Sequence, residues 1–156
     1  MLERDAKRRD RVYLTSFSGF PCFFDEDACV ILGQITDAHV RSDGLLAGKV
    51  NTARMLAQGI SHLASLVPPP DVVLMTGDLV DKGTESEYQV VRELLTPLDI
   101  PLYMIPGNHD DRDALRAVFS DHAYLFQGGP FINYVVEDFP LRLVALDTFA
   151  PGRGSG

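Results

Sequence analysis

Three short apolar runs set the limits on what this chain can fold into. They are Cys29–Ile35 (CVILGQI), Asp71–Met75 (DVVLM) and Ile100–Pro106 (IPLYMIP). Their lengths and branched side chains suit buried strands. Between the first two, Val50, Ala53, Leu56, Ile60, Leu63 and Val67 recur at spacings of three and four. That spacing predicts an amphipathic helix over Lys49–Val67. Pro68, Pro69 and Pro70 then stop it, because proline lacks the N–H that a helix needs. Shorter helices are predicted at Glu85–Leu95 and Arg112–Phe119. The stretch from Phe131 to Thr148 reads as two strands joined at Glu137–Pro140. Strands alternating with helices specify an α/β fold, with a mostly parallel sheet, right-handed crossovers and a terminal hairpin.

Each of the three strands runs into a polar cluster: Asp37-Ala38-His39, Gly77-Asp78, and Gly107-Asn108-His109-Asp110. A parallel α/β sheet brings the carboxyl ends of its strands to one edge, where ligands bind. Residues remote in sequence are thereby expected on a single rim. Carboxylate oxygen and imidazole nitrogen together suit manganese, iron or zinc better than calcium. In an extended Asp-x-His, both side chains point the same way and can grip one ion. Asp78 has two oxygens and can bridge two ions, and Asn108 is a neutral oxygen donor. The glycines before Asp78 and Asn108 allow a sharp turn and a close approach. Without a cation, Asp37, Asp78, Asp110 and Asp111 are expected to crowd as like charges. Two divalent ions would convert such a cluster into a phosphate site.

Other polar residues have simpler readings. His62 is expected on a solvated helix face and His122 in a loop. Asp81 and Lys82 are expected to shape the loop after Asp78. Asp147 supports the site or caps the next turn. Arg112 either neutralises a phosphate oxygen or pairs with Asp110 or Asp111.

The chain has 156 residues, 46% apolar and 23% charged, with a net charge of −8. Such a composition fits one globular domain. Its acidity disfavours a nucleic-acid polymer as partner. No run approaches the ~20 apolar residues of a membrane span. Cys22 and Cys29 are too far apart for a CxxC motif and are expected as free thiols, which points to a reducing, cytoplasmic setting. Residues 1–28 are charge-dense and then irregular, and are expected to form an N-terminal extension without a signal peptide.

The stretches QITDAHV, PDVVLMTGDLVDKGTESEYQVVRELLTPLDIPLYMIPGNHDDR and LVALDT resemble the calcineurin-like metallophosphoesterases over about residues 30–152. Within that superfamily the pattern is most similar to the class III 3′,5′-cyclic nucleotide phosphodiesterases. The resemblance implies an α-β-β-α sandwich with two Fe, Mn or Zn ions. Asp37 and His39 would bind the first ion, Asp78 would bridge, and Asn108 would bind the second. His109 would serve as the catalytic histidine, protonating the leaving oxygen or stabilising the transition state. The implied reaction is hydrolysis of a small phosphodiester such as cyclic AMP by hydroxide generated at the two metals.

Two later family motifs, His-His and Gly-His-x-His, supply three further ligands and have no counterpart before Gly156. Residues 29–156 are therefore expected to form the N-terminal portion of such a domain. The second metal would bind weakly, and activity in isolation would be low or absent. An uncovered sheet would then expose apolar surface and favour homo-oligomers. The alternatives are a non-catalytic interaction module on the same fold, or a phosphoesterase for a glycerophosphodiester or a monoester.

Overall fold

A computed structural model describes residues 29–150. The expected extension over residues 1–28, Cys22 and the closing glycine-rich stretch lie outside the described residues. Strands β1 (Leu32–Thr36), β2 (Val72–Thr76) and β3 (Leu102–Met104) form one parallel sheet in the order β1-β2-β3. Helix α1 (Thr52–Ser65) connects the first pair and α2 (Glu85–Leu95) the second, while α3 (Arg112–Val118) follows β3. α2 packs against both α1 and α3. A 3₁₀ turn at Ala123–Phe126 leads to β4 (Tyr134–Val136), which pairs antiparallel with β5 (Leu143–Ala145).

The predicted element order holds, and the boundaries move for identifiable reasons. α1 begins after Asn51, whose side-chain oxygen accepts the Arg54 N–H and so caps the first turn. It ends at Ser65, two residues before its predicted end, and Val67 is 95% exposed. α2 begins with a capping box, Thr84 and Glu87 each satisfying the other's backbone N–H. The hairpin link spans residues 137–142, longer than the predicted turn, with Tyr134 opposite Ala145.

β2 lies between two neighbours, and its Val72, Val73 and Met75 are fully buried. Met75, Met104, Tyr88, Val91, Leu115 and Leu125 join one continuous core. On the other pleat of the sheet, Leu74, Thr76, Tyr103 and Ile105 meet Tyr134, Val136 and Leu143 around a cavity of about 70 Å³. Tyr134 fastens the hairpin by donating its hydroxyl to the Met104 carbonyl at 2.8 Å. The hairpin does not reach β1, where Leu32 and Gln34 stay exposed. Exposed Cys29 is a free thiol, as expected.

Candidate metal centre

In-register parallel pairing carries the three polar clusters to one rim. The β1–β2 ladder ends with Thr36 opposite Thr76, and β2–β3 ends with Met75 opposite Met104. Backbone pairing continues past the strands. Asp37 N–H donates to Thr76 O at 3.1 Å, and His39 N–H to Asp78 O at 3.0 Å. Ligand atoms of Asp37, His39 and Asp78 lie within 4.8 Å of one another.

The backbone achieves this differently from the extended Asp-x-His of the sequence reading. Asp37 and His39 both adopt left-handed backbone, with φ of 51° and 42°. Each such non-glycine residue costs roughly 1–3 kcal/mol, a form of strain that concentrates at functional sites. Gly77 has φ of 75°, and a Cβ there would meet the Asp37 carboxylate at 3.0 Å. A Cβ on Gly107 would sit 2.7 Å from the Asp78 backbone nitrogen. Both glycines therefore serve the approach of strand-end loops, as predicted.

The crowd of anions is smaller than the sequence implied, because Asp110 and Asp111 turn away from the rim. Asp110 is buried and accepts hydrogen bonds from Leu79 N–H (3.0 Å), Val80 N–H (3.2 Å), Gly107 N–H (2.8 Å) and the Tyr88 hydroxyl (2.8 Å). Burial pushes its pKa up to about 6, against the pull of those donors. Asp111 caps α3 by accepting from Asp113 N–H and Ala114 N–H.

Asp81 takes a place at the rim that the sequence reading did not assign to it. Its carboxylate lies 3.8 Å from His39 Nδ1 and 3.9 Å from His109 Nδ1, and His39, Asp81 and His109 form a second cluster of ligand type. The signal was available in Gly77-Asp78-Leu79-Val80-Asp81, a second carboxylate three residues after the first. Asp81 also does the loop-shaping expected of it, by accepting from Arg41 at 2.8 Å.

His109 stands at 41% side-chain exposure, edge-on to His39 with ring centroids 4.8 Å apart. Its backbone N–H donates to Asp78 Oδ1 at 2.9 Å. Its Nδ1 lies 2.7 Å from the Asp81 carbonyl, which can only accept, so Nδ1 carries the proton. That hydrogen bond raises the His109 pKa. Partial desolvation opposes the rise, and the carboxylates of Asp78, Asp81 and Asp110 reinforce it. Asn108 is exposed between Gly107 and His109, whose N–H groups are tied to Asp110 and Asp78.

The donor set fits a divalent cation. His39 Nε2 lies 3.5 Å from Asp78 Oδ2, while its buried Nδ1 has no hydrogen-bond partner among the described residues. A metal-bound histidine donates its other ring N–H to a carboxylate or carbonyl, and Asp81 stands in that direction.

The remaining residues settle elsewhere. Arg112 pairs with neither Asp110 nor Asp111. It forks onto Asp147 at 2.5 and 2.7 Å, donates to the Phe149 carbonyl at 2.6 Å and lies over the Phe131 ring. Asp147, its side chain fully buried, also accepts the Ile132 and Phe149 N–H groups, so it ties the hairpin to α3 and caps the next turn. Burial raises its pKa, but Arg112 and those N–H groups hold it below the usual carboxylate range. His62 is exposed on α1. His122 packs edge-on against Phe119 and Tyr124 and lines a cavity of about 560 Å³ with Leu102, at the other end of β3 from the rim.

The family profile for calcineurin-like phosphoesterases matches residues 32–152. The chain belongs to this family. It is 39% identical over 128 residues to a probable glycerophosphodiester phosphodiesterase, GpdQ, of Arcobacter nitrofigilis, covering 81% of this chain and 46% of the relative. It is 31% identical over 131 residues to the 3′,5′-cyclic adenosine monophosphate phosphodiesterase CpdA of Pseudomonas aeruginosa, covering 83% and 46%. It is 34% identical over 131 residues to a cAMP/cGMP dual specificity phosphodiesterase of Mycobacterium tuberculosis, covering 81% and 40%. The chain thus spans less than half the length of these relatives. Among its described residues, no helix is long and apolar enough to cross a membrane.

Proposed function

We propose that the rim binds two divalent ions and serves hydrolysis of a small phosphodiester, with a 3′,5′-cyclic nucleotide as the first candidate substrate. The carrying observation is the meeting of Asp37, His39 and Asp78 ligand atoms within 4.8 Å at the strand ends. In this reading Asp37 and His39 would hold the first ion, Asp78 would serve both, and Asn108 would hold the second. Divalent ions bound there would supply Lewis-acid activation of water and neutralise charge at phosphorus. Asp78 orients His109 by accepting its backbone N–H, while the Asp81 carbonyl holds Nδ1. His109 Nε2 is then the atom that faces a leaving oxygen, and imidazole is suited to give up a proton near neutral pH.

The test is hydrolysis of cyclic AMP by the purified chain with Mn²⁺, beside metal content measured in the same samples. The expected result is bound metal that Asp78→Ala loses, with turnover that is low for this chain alone and stopped by a chelator. Unchanged metal content in Asp78→Ala would sink the assignment.

A glycerophosphodiester is the second reading, supported by the 39% identity to the probable glycerophosphodiester phosphodiesterase. Association of chains through the hairpin, with or without catalysis, is supported by the exposure of Val135 (46%), Val144 (57%) and Leu146 (63%). Sedimentation at increasing concentration tests it, and a monomer throughout would remove it.

A further inference from the structure

His39 belongs to two clusters of ligand type at once. Its Nε2 lies 3.5 Å from Asp78 Oδ2, and its Nδ1 lies 3.8 Å from Asp81 Oδ1. One cluster joins His39 to Asp37 and Asp78, the other to Asp81 and His109. A neutral imidazole has one bare nitrogen and one N–H, so His39 can offer a lone pair to only one of them. Asp81 faces this choice, and Arg41 holds Asp81. The Arg41 guanidinium donates to Asp81 Oδ2 at 2.8 Å, and from Nε and Nη2 to Asp43 Oδ1 at 3.1 and 2.7 Å. Lys82 Nζ in turn lies 3.2 Å from the other Asp43 oxygen. The guanidinium is thus fixed from both sides. Among the described residues, no other lysine or arginine forms an ion pair with Asp37, Asp78 or Asp81.

We infer that Arg41 is a positioning residue that decides which of the two clusters takes a divalent ion. The inference rests on the reading of the rim as a cation site and adds the choice of position within it. By occupying Asp81 Oδ2, Arg41 keeps that carboxylate from chelating a cation and leaves Oδ1 for the His39 Nδ1–H. The hydrogen bond made by one imidazole nitrogen fixes the role of the other, so His39 then presents a bare Nε2 to the cluster with Asp37 and Asp78. Without the guanidinium, Asp81 regains both oxygens and an uncompensated charge. Its Oδ1 stands almost equally far from His39 Nδ1 and His109 Nδ1, at 3.8 and 3.9 Å. An ion between the three would need both Nδ1 atoms bare, with each ring carrying its proton on Nε2. Arg41 is not required to join the loops themselves. His39 N–H donates to Asp78 O, Val40 N–H to Leu79 O, and Asp81 N–H to Val40 O. The ion pair therefore acts on the direction and charge of one carboxylate rather than on the backbone.

The experiment is long-range ¹H–¹⁵N NMR of the histidine rings in the ¹⁵N-labelled full chain with Zn²⁺, beside Zn²⁺ calorimetry. Such spectra report which ring nitrogen carries a proton and which a metal. In the parent, Zn²⁺ should bind His39 through Nε2, with the protons of His39 and His109 both on Nδ1. Arg41→Met keeps the length of the side chain and removes its charge and donors. It should move Zn²⁺ to the Nδ1 atoms of His39 and His109, with no loss of affinity, because a repelling charge beside the cation is gone. A merely structural residue behind a metal ligand would instead weaken Zn²⁺ about 10–100-fold without changing the nitrogen used. Arg41→Lys keeps a cation beside Asp81 and should preserve the parent spectrum. Asp43→Asn, at an exposed side chain that is safe for folding, loosens the guanidinium and should populate the Nδ1 site in part. The parent pattern in both Arg41→Met and Asp43→Asn would overturn the inference, as would a loss of affinity with the nitrogen unchanged. If Zn²⁺ leaves the parent histidines untouched but occupies both Nδ1 atoms in Arg41→Met, the reading of the rim falls and the role of Arg41 stands. If no histidine binds Zn²⁺ in any of these chains, both fall.

Discussion

Just inside the strand ends, Asp110 accepts four hydrogen bonds and Asp147 is forked by Arg112; on the rim, the Asp78 side chain accepts one, from His109 N–H. Both layers are built from aspartates in the loops at strand ends. The inner carboxylates are saturated, and they clamp the loop after β2 to the loop after β3, and the hairpin to α3. The outer ones stand close together with two imidazoles and accept fewer bonds, Asp37 from the Thr36 hydroxyl, Asp78 from His109 N–H and Asp81 from Arg41. Asp78 is buried and His39 half-buried, and buried polar groups are normally satisfied, which supports the cation site proposed above. The inner layer should govern stability and the rim should govern metal binding.

The sharpest way to break this contrast is Asp110→Ala. It strands three backbone N–H groups and the Tyr88 hydroxyl. At about 1–3 kcal/mol for each buried unsatisfied donor, urea unfolding should show a loss of roughly 4 kcal/mol or more. A loss below about 1 kcal/mol would mean that Asp110 is no clamp. Arg112→Ala leaves the buried Asp147 charge unpaired and should cost about 3 kcal/mol, again read by urea unfolding. A phosphate-binding role for Arg112 with no effect on folding would contradict it.

Asp78→Asn should behave in the opposite manner. With chelator present, its stability should stay within about 1 kcal/mol of the parent, since an amide oxygen can still accept the His109 N–H. With Mn²⁺ at a hundredfold excess over its dissociation constant, the parent should gain about 2.7 kcal/mol and the variant should not. Asp81→Ala should weaken Mn²⁺ binding about tenfold by calorimetry, the usual scale for a residue that orients a ligand. Asp81→Asn, which keeps an acceptor, should recover most of that loss. Equal affinities in all three chains would remove Asp81 from the rim's function.

The smallest effect concerns neither layer. The exposed Asp121 is forked by Arg92, which holds its pKa down to about 2. A depressed carboxylate contributes stability that is present above its unfolded pKa of about 3.9 and lost as pH falls through its folded value. Arg92→Gln should flatten the acid limb of the stability curve in that window and leave neutral pH nearly unchanged, because exposed pairs contribute little.

Much of the fold could be read from local pattern. The runs around β1, β2 and β3 carry their own strand signal, and Asn51, Thr84 and Asp111 mark the helix starts. Gly77-Asp78 and Gly107-Asn108-His109 pointed to a rim, because parallel pairing leaves strand ends nowhere else to go. What was not legible is which way each carboxylate turns. Asp110 and Asp111 follow His109 directly and read as members of the same cluster, yet one faces inward to four donors and the other caps α3.

Residue types, their order and the alternation of strand and helix thus determined the fold, the rim and the family to which the chain belongs. The tertiary structure alone decided that Asp81 stands between two histidines, that Arg112 serves Asp147, and that Arg41 pairs with Asp81. A strand or a helix is specified by neighbours a few residues away. A carboxylate takes its direction from the donors it finds, and Asp110 finds Leu79 and Val80 across 31 and 30 residues of chain only after the sheet has formed.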